Sequence, residues 1–138
     1  MAADLKAKFE GKWVNVKSEN LKEYLEKAGV GMIKKNIALQ LTPEMVISVE
    51  GEQINVSITA GPKTTKASYK LGEQYDVEGD NPGKAVTTLV DGKMNTVITP
   101  NDTKLKPHTI VRDIVDGQLV QTMTTDGVTA KRFFQKSS

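Results

Sequence analysis

The chain has 138 residues, suits a single domain over 1–138, and shows neither a long Pro/Gly/Ser linker nor a break in composition. A formal net charge of +2 is too small to announce a nucleic-acid binder, and no stretch reaches the ~18 to 20 apolar residues that span a bilayer. With no Cys there is no disulfide framework and no thiolate metal site, and with a polar start and no signal-peptide core the expected compartment is the cytoplasm.

In chain order, Trp13, Val14 and Val16 suggest an opening strand. Asn20 then offers an N-cap, with Glu23 three residues on as in a capping box. Leu21, Tyr24, Leu25 and Ala28 recur at helical spacing, and Gly29 stops the run. A second helix is expected from Gly31 to about Leu41, with Met32, Ile33, Ile37 and Leu39 apolar, Lys34 and Lys35 exposed, and Pro43 beyond its end. The helical pair thus occupies about 20–41.

Everything after Pro43 reads as β. The expected strands are Glu44–Glu50, Gln53–Ala60, Thr64–Leu71, Gln74–Glu78, Lys84–Val90 and Lys93–Thr99, followed by three longer runs. Gly51, Gly61-Pro62, Gly72, Asn81-Pro82-Gly83 and three Asp-Gly pairs punctuate them. About ten antiparallel strands in a meander hide their edges most easily by closing into a barrel. A barrel of that width, with only one Trp, three Phe and three Tyr to fill it, should keep a cavity for a small ligand.

Seventeen of the nineteen basic Lys and Arg residues are Lys; the two Arg, Arg112 and Arg132, both lie in the last third. Arg presents a planar, permanently charged fork that matches a carboxylate. Two-residue turns at Asp116-Gly117 and Asp126-Gly127 would pair Arg112 with Gln121 and Gln121 with Arg132. Neighbouring rows are then Ile110, Met123 and Ala130 on one side and Ile114, Leu119 and Phe134 on the other. The opposite face carries Asp113, Gln118, Thr122, Lys131 and Gln135, so the Arg face should be the interior. Strands about 4.8 Å apart would set the two Arg Cα atoms roughly 10 Å from each other, close enough to converge on one anion. A bulge or a longer turn would instead put both on the exterior.

Phe9-Glu10-Gly11-Lys12-Trp13, Ser18-Glu19-Asn20 with Tyr24-Leu25 and Gly29-Val30-Gly31, and Tyr69-Lys70-Leu71-Gly72-Glu73 together give the chain a further character. In order and spacing it resembles the intracellular lipid-binding proteins, the cytosolic fatty-acid-binding and retinoid-binding family, along its whole length. The resemblance implies an all-β fold, a ten-stranded antiparallel up-and-down β-barrel (β-clam) with a helix-turn-helix lid between the first two strands. It also implies a non-catalytic, monomeric carrier with no metal and no cofactor.

The same resemblance puts the ligand carboxylate at Arg112 and Arg132. Gln121, Phe134, Met123, Ile110 and Leu119 would form the supporting cavity, with Leu21, Tyr24, Leu25, Met32 and Pro62 at the lid and portal. Phe134 stands where members carry a Tyr hydroxyl, which removes one expected hydrogen bond. Pro62 looks closer to the liver-type branch, whose members lack an Arg matching Arg112. A long-chain fatty acid is the first choice of ligand, with a retinoid or bile-acid-type ligand the alternatives within the family. Lys34 and Lys35 could meet an anionic membrane surface during ligand transfer.

Other chemistry finds less support. His108 is the sole His and follows Pro107, so a lipid-acting enzyme would lack the usual triad. Asp76, Glu78 and Asp80 sit beside a Gly/Asn/Pro turn and read as a solvated loop. A secreted lipocalin-like binder is disfavoured by the missing leader, the missing Cys and the early helical pair.

Overall fold

The computed structural model describes residues 2–29, 31–77 and 82–137, the first three of them by backbone alone. Val30, and Glu78, Gly79, Asp80 and Asn81 of the acidic turn, lie outside the described residues.

A short helix, α1 (Ala2–Phe9), leads into β1 (Gly11–Glu19), and the helices α2 (Leu21–Lys27) and α3 (Met32–Gln40) follow. Nine further strands complete the chain: β2 (Glu44–Glu50), β3 (Gln53–Ala60), β4 (Lys63–Lys70), β5 (Tyr75–Val77), β6 (Gly83–Val90), β7 (Lys93–Pro100), β8 (His108–Val115), β9 (Gln118–Thr125) and β10 (Val128–Lys136). All pairings are antiparallel, and β1 pairs with β10 as well as with β2, wrapping one ten-stranded sheet into a nearly closed barrel.

Closure is incomplete. The sheet runs from β4 through β3, β2, β1 and β10 down to β5, so β4 and β5 form its two ends and do not pair with each other. The expected closing of the meander therefore stops short at one place, where β5 is only three residues long. The stacked rings of Tyr69 and Tyr75, with centroids 4.3 Å apart, bridge the gap instead.

The three Asp-Gly turns form as their composition requires. Asp91-Gly92, Asp116-Gly117 and Asp126-Gly127 all have positive φ at both residues, the geometry of a type I′ turn. Two of these turns set the register that pairs Arg112 with Gln121 and Gln121 with Arg132.

The main core gathers Leu5, Phe9, Trp13, Met45, Ile47, Val49, Ile54, Met94, Leu119 and Phe134. The sequence pattern does not foresee α1, and Phe9, the first residue of the Phe9-Glu10-Gly11-Lys12-Trp13 motif, ends this helix. Leu5 and Phe9 lie one turn apart on the same helical face and both are buried. Trp13 Nε1 donates to Phe9 O at 2.9 Å, Glu10 accepts from Val49 N–H at 3.0 Å, and Lys8 reaches Gly92 O and Asp113. α1 is thereby fastened to β1, β2, the β6–β7 turn and β8.

The lid differs in two details. Asn20 is the N-cap of α2, but it has a left-handed backbone and its side chain makes no capping bond; Nδ2 donates to Thr129 O at 2.8 Å. Lys35, expected to be exposed, is buried, and its ammonium meets Glu26 at 2.9 Å, tying α3 to α2.

Candidate functional site

The inward faces of β8, β9 and β10 do carry the apolar rows expected from the turns. Met123, Ala130, Leu119 and Phe134 are buried, while Ile110 and Ile114 are partly so. In the row between them Arg112 is only 8% exposed and Gln121 is buried as well. Arg112 Nε donates to Gln121 Oε1 at 2.9 Å, and Gln121 Nε2 turns to Met123 Sδ at 3.3 Å, a weak acceptor.

No Asp or Glu carboxylate is buried among the described residues, so the Arg112 charge has no interior counter-ion. Uncompensated burial of a guanidinium is costly, and an incoming anion would relieve that cost.

Arg132 occupies different ground. It lines a pocket of about 420 Å³ bounded by the end of β1, the start of α2 and the α3–β2 link. Its Nε is buried without a hydrogen-bond partner, and burial lowers its pKa. Gln121 is the backbone partner of both Arg residues, but among the described side chains it bonds only to Arg112 and Met123.

A further polar cluster lies beside Arg112 and escaped the sequence reading. Tyr75 Oη lies 3.0 Å from Thr87 Oγ1, which in turn lies 2.7 Å from Thr96 Oγ1. Tyr69, stacked on Tyr75, has a buried hydroxyl with no well-directed hydrogen bond. Burial raises its pKa despite the opposing pull of the nearby Arg112, so the phenol keeps its proton. The available signal was the alternation of Ala67, Tyr69 and Leu71, which marks one face; Thr87 and Thr96 look like ordinary strand formers.

The lid divides into anchor and portal. Leu21 and Tyr24 are buried against Met123 and Ala130, with Leu25, Ile110 and Val128 around them. Tyr24 Oη lies 3.1 Å from His108 Nδ1, the donor being set by the imidazole tautomer. Burial pushes the Tyr24 pKa up to about 12 and lowers that of His108. Leu25 and Pro62 meet at a mainly apolar pocket of about 490 Å³ between the lid and the β3–β4 hairpin, together with Ile37, Leu41 and Ile58. Met32 does not line this pocket and is 71% exposed on α3.

No protein-family model matches the chain. Curated proteins and solved structures do. The chain is 33% identical to the adipocyte fatty acid-binding protein of Pygoscelis papua over 131 residues, covering 94% of this chain and 97% of that protein. The crystal structure of a fatty acid-binding protein from Drosophila melanogaster brain shares 31% identity and superposes with a TM-score of 0.80 over 90% of this chain and 95% of that one. The fold alone is shared with the Schistosoma mansoni fatty acid binding protein solved with arachidonic acid, at 24% identity, TM-score 0.89 and coverage of 96% and 98%.

The nearly closed barrel, the inserted helical lid and the sequence relationship agree. The chain belongs to the intracellular lipid-binding protein family.

Proposed function

We propose that the protein is a non-catalytic, monomeric carrier acting in the cytoplasm, which holds a long-chain fatty acid in its barrel. The ligand enters between the lid and the β3–β4 hairpin, buries its tail, and brings its carboxylate to Arg112, with Arg132 as the second cation and Gln121 between them. The observation that carries this reading is Arg112, buried, bonded to a neutral amide and without a buried carboxylate partner among the described residues. Each buried methylene contributes about 0.8 kcal/mol, so the tail supplies affinity and the guanidinium supplies orientation. The relatives support the ligand class, being named for fatty acids.

Arg112→Gln tests the anchor. Oleate affinity measured by calorimetry should fall about tenfold or more, the loss of a charge-assisted hydrogen bond, while the thermal midpoint stays level or rises. Unchanged affinity overturns the anchor.

Ligand delivery is proposed to involve brief contact between α3 and an anionic membrane surface. Of the two lysines expected there, Lys35 is buried against Glu26, and Lys34 is exposed on α3 with Met32 and Ile33.

A further inference from the structure

The cluster around Arg112 holds more donors than acceptors. A guanidinium has five N–H donors and no acceptor. Gln121 Oε1 is taken by Arg112 Nε, and the Gln121 amide N–H settles for a thioether. Thr87 Oγ1 is engaged by both Tyr75 and Thr96. The Tyr69 hydroxyl, buried near Thr87 and Arg112, makes no well-directed hydrogen bond among the described residues.

Its position is also held fast. The Tyr69 ring lies nearly parallel to that of Tyr75, with an interplanar angle of 7°, and Tyr75 is fixed in turn by its bond to Thr87. Burying a hydroxyl without a partner costs free energy, and a fixed, unspent donor is what preorganised recognition of an oxygen anion requires. Phe134 meanwhile has no hydroxyl to contribute to the interior.

We infer that the Tyr69 hydroxyl donates to the ligand's carboxylate at Arg112, serving as the phenolic donor that Phe134 lacks. This rests on the carboxylate-at-Arg112 reading above. The donor comes from β4, one of the two unpaired ends of the sheet, and Arg112 from β8, so a bound carboxylate links a free end to the continuous part of the barrel. Tyr69 then distinguishes an anionic head group from a neutral one of the same chain length.

The test compares wild type, Tyr69→Phe and Arg112→Gln for oleate and for oleyl alcohol, by displacement of a fluorescent fatty-acid probe. Tyr69→Phe removes no well-directed hydrogen bond among the described residues, so the protein should fold with an unchanged or higher thermal midpoint. Its oleate affinity should drop about tenfold while oleyl alcohol binds within about twofold of wild type. Wild-type oleate affinity in Tyr69→Phe, with Arg112→Gln impaired, overturns the role of Tyr69 and leaves the Arg112 anchor standing. Equal losses for oleate and the alcohol reduce Tyr69 to packing and also overturn it. Unimpaired Arg112→Gln removes the anchor itself, and with it this inference.

Discussion

Tyr24 and His108 illustrate how burial beneath the lid can make a structure sensitive to acidity. Burial holds His108 below the usual imidazole pKa of about 6.5, so at mildly acid pH the unfolded chain binds more protons than the folded one. Stability contributed by the neutral imidazole is present above the unfolded pKa and declines as pH falls through the ordinary range toward the lower folded value. Thermal midpoints measured from pH 7 to pH 5 should therefore drop, and His108→Gln should flatten that slope. A slope unchanged by the substitution would place the acid sensitivity elsewhere. Arg112 and Gln121 were legible because two Asp-Gly turns make register a matter of counting; the Asp91-Gly92 turn pairs Thr87 with Thr96 by the same count, but the approach of Tyr69 to Tyr75 joins two unpaired sheet ends that no local pattern brings together.

Short helices owe their existence to what they dock against, and α1 is the clearest instance. Eight residues are too few for a stable isolated helix, and only Leu5 and Phe9 within it give a described apolar face. The sequence pattern was too brief to distinguish this helix from a polar lead-in. Phe9→Ala should remove about 3 to 5 kcal/mol from unfolding by urea, because it empties a fully buried site where α1 meets the main core. A loss under about 1 kcal/mol would mean that α1 is incidental to stability. α3 is the converse, a helix whose Met32, Ile33 and Ile37 face solvent while Lys35 and Glu26 hold it to α2. Ile33→Asp, at a site 77% exposed, should leave ligand affinity intact yet slow transfer of a fluorescent fatty acid to anionic vesicles several-fold. The lid's presence and approximate span were legible from Leu21, Tyr24, Leu25 and Gly29, whereas the Lys35 pairing depended on how two helices lean together.

At the scale of the molecule, the open seam between β4 and β5 sets which part yields first. β4 is mostly exposed, β5 is three residues long, and neither has a strand partner on its outer side. Backbone amides there should exchange with deuterium well before those of β8, β9 and β10, whose pairings are continuous. Equal protection across the two regions would contradict that ranking. Hydrophobic alternation and turn residues were enough to announce a ten-stranded barrel, but the seam was hidden: a strand's sequence does not reveal that its neighbour will curve away.

The Asp-Gly turns have a consequence in time as well as in space. From β6 to β10 each strand pairs with the one just before it, three of the four links being two-residue turns. Contacts this local cost little loop entropy, whereas β1 must meet β10 across almost the entire chain. The Arg112–Gln121–Arg132 row thus belongs, with the β2–β3–β4 ladder, to the parts of the polypeptide placed to assemble early, and the recognition surface should exist as a hairpin ladder before there is a barrel to enclose it.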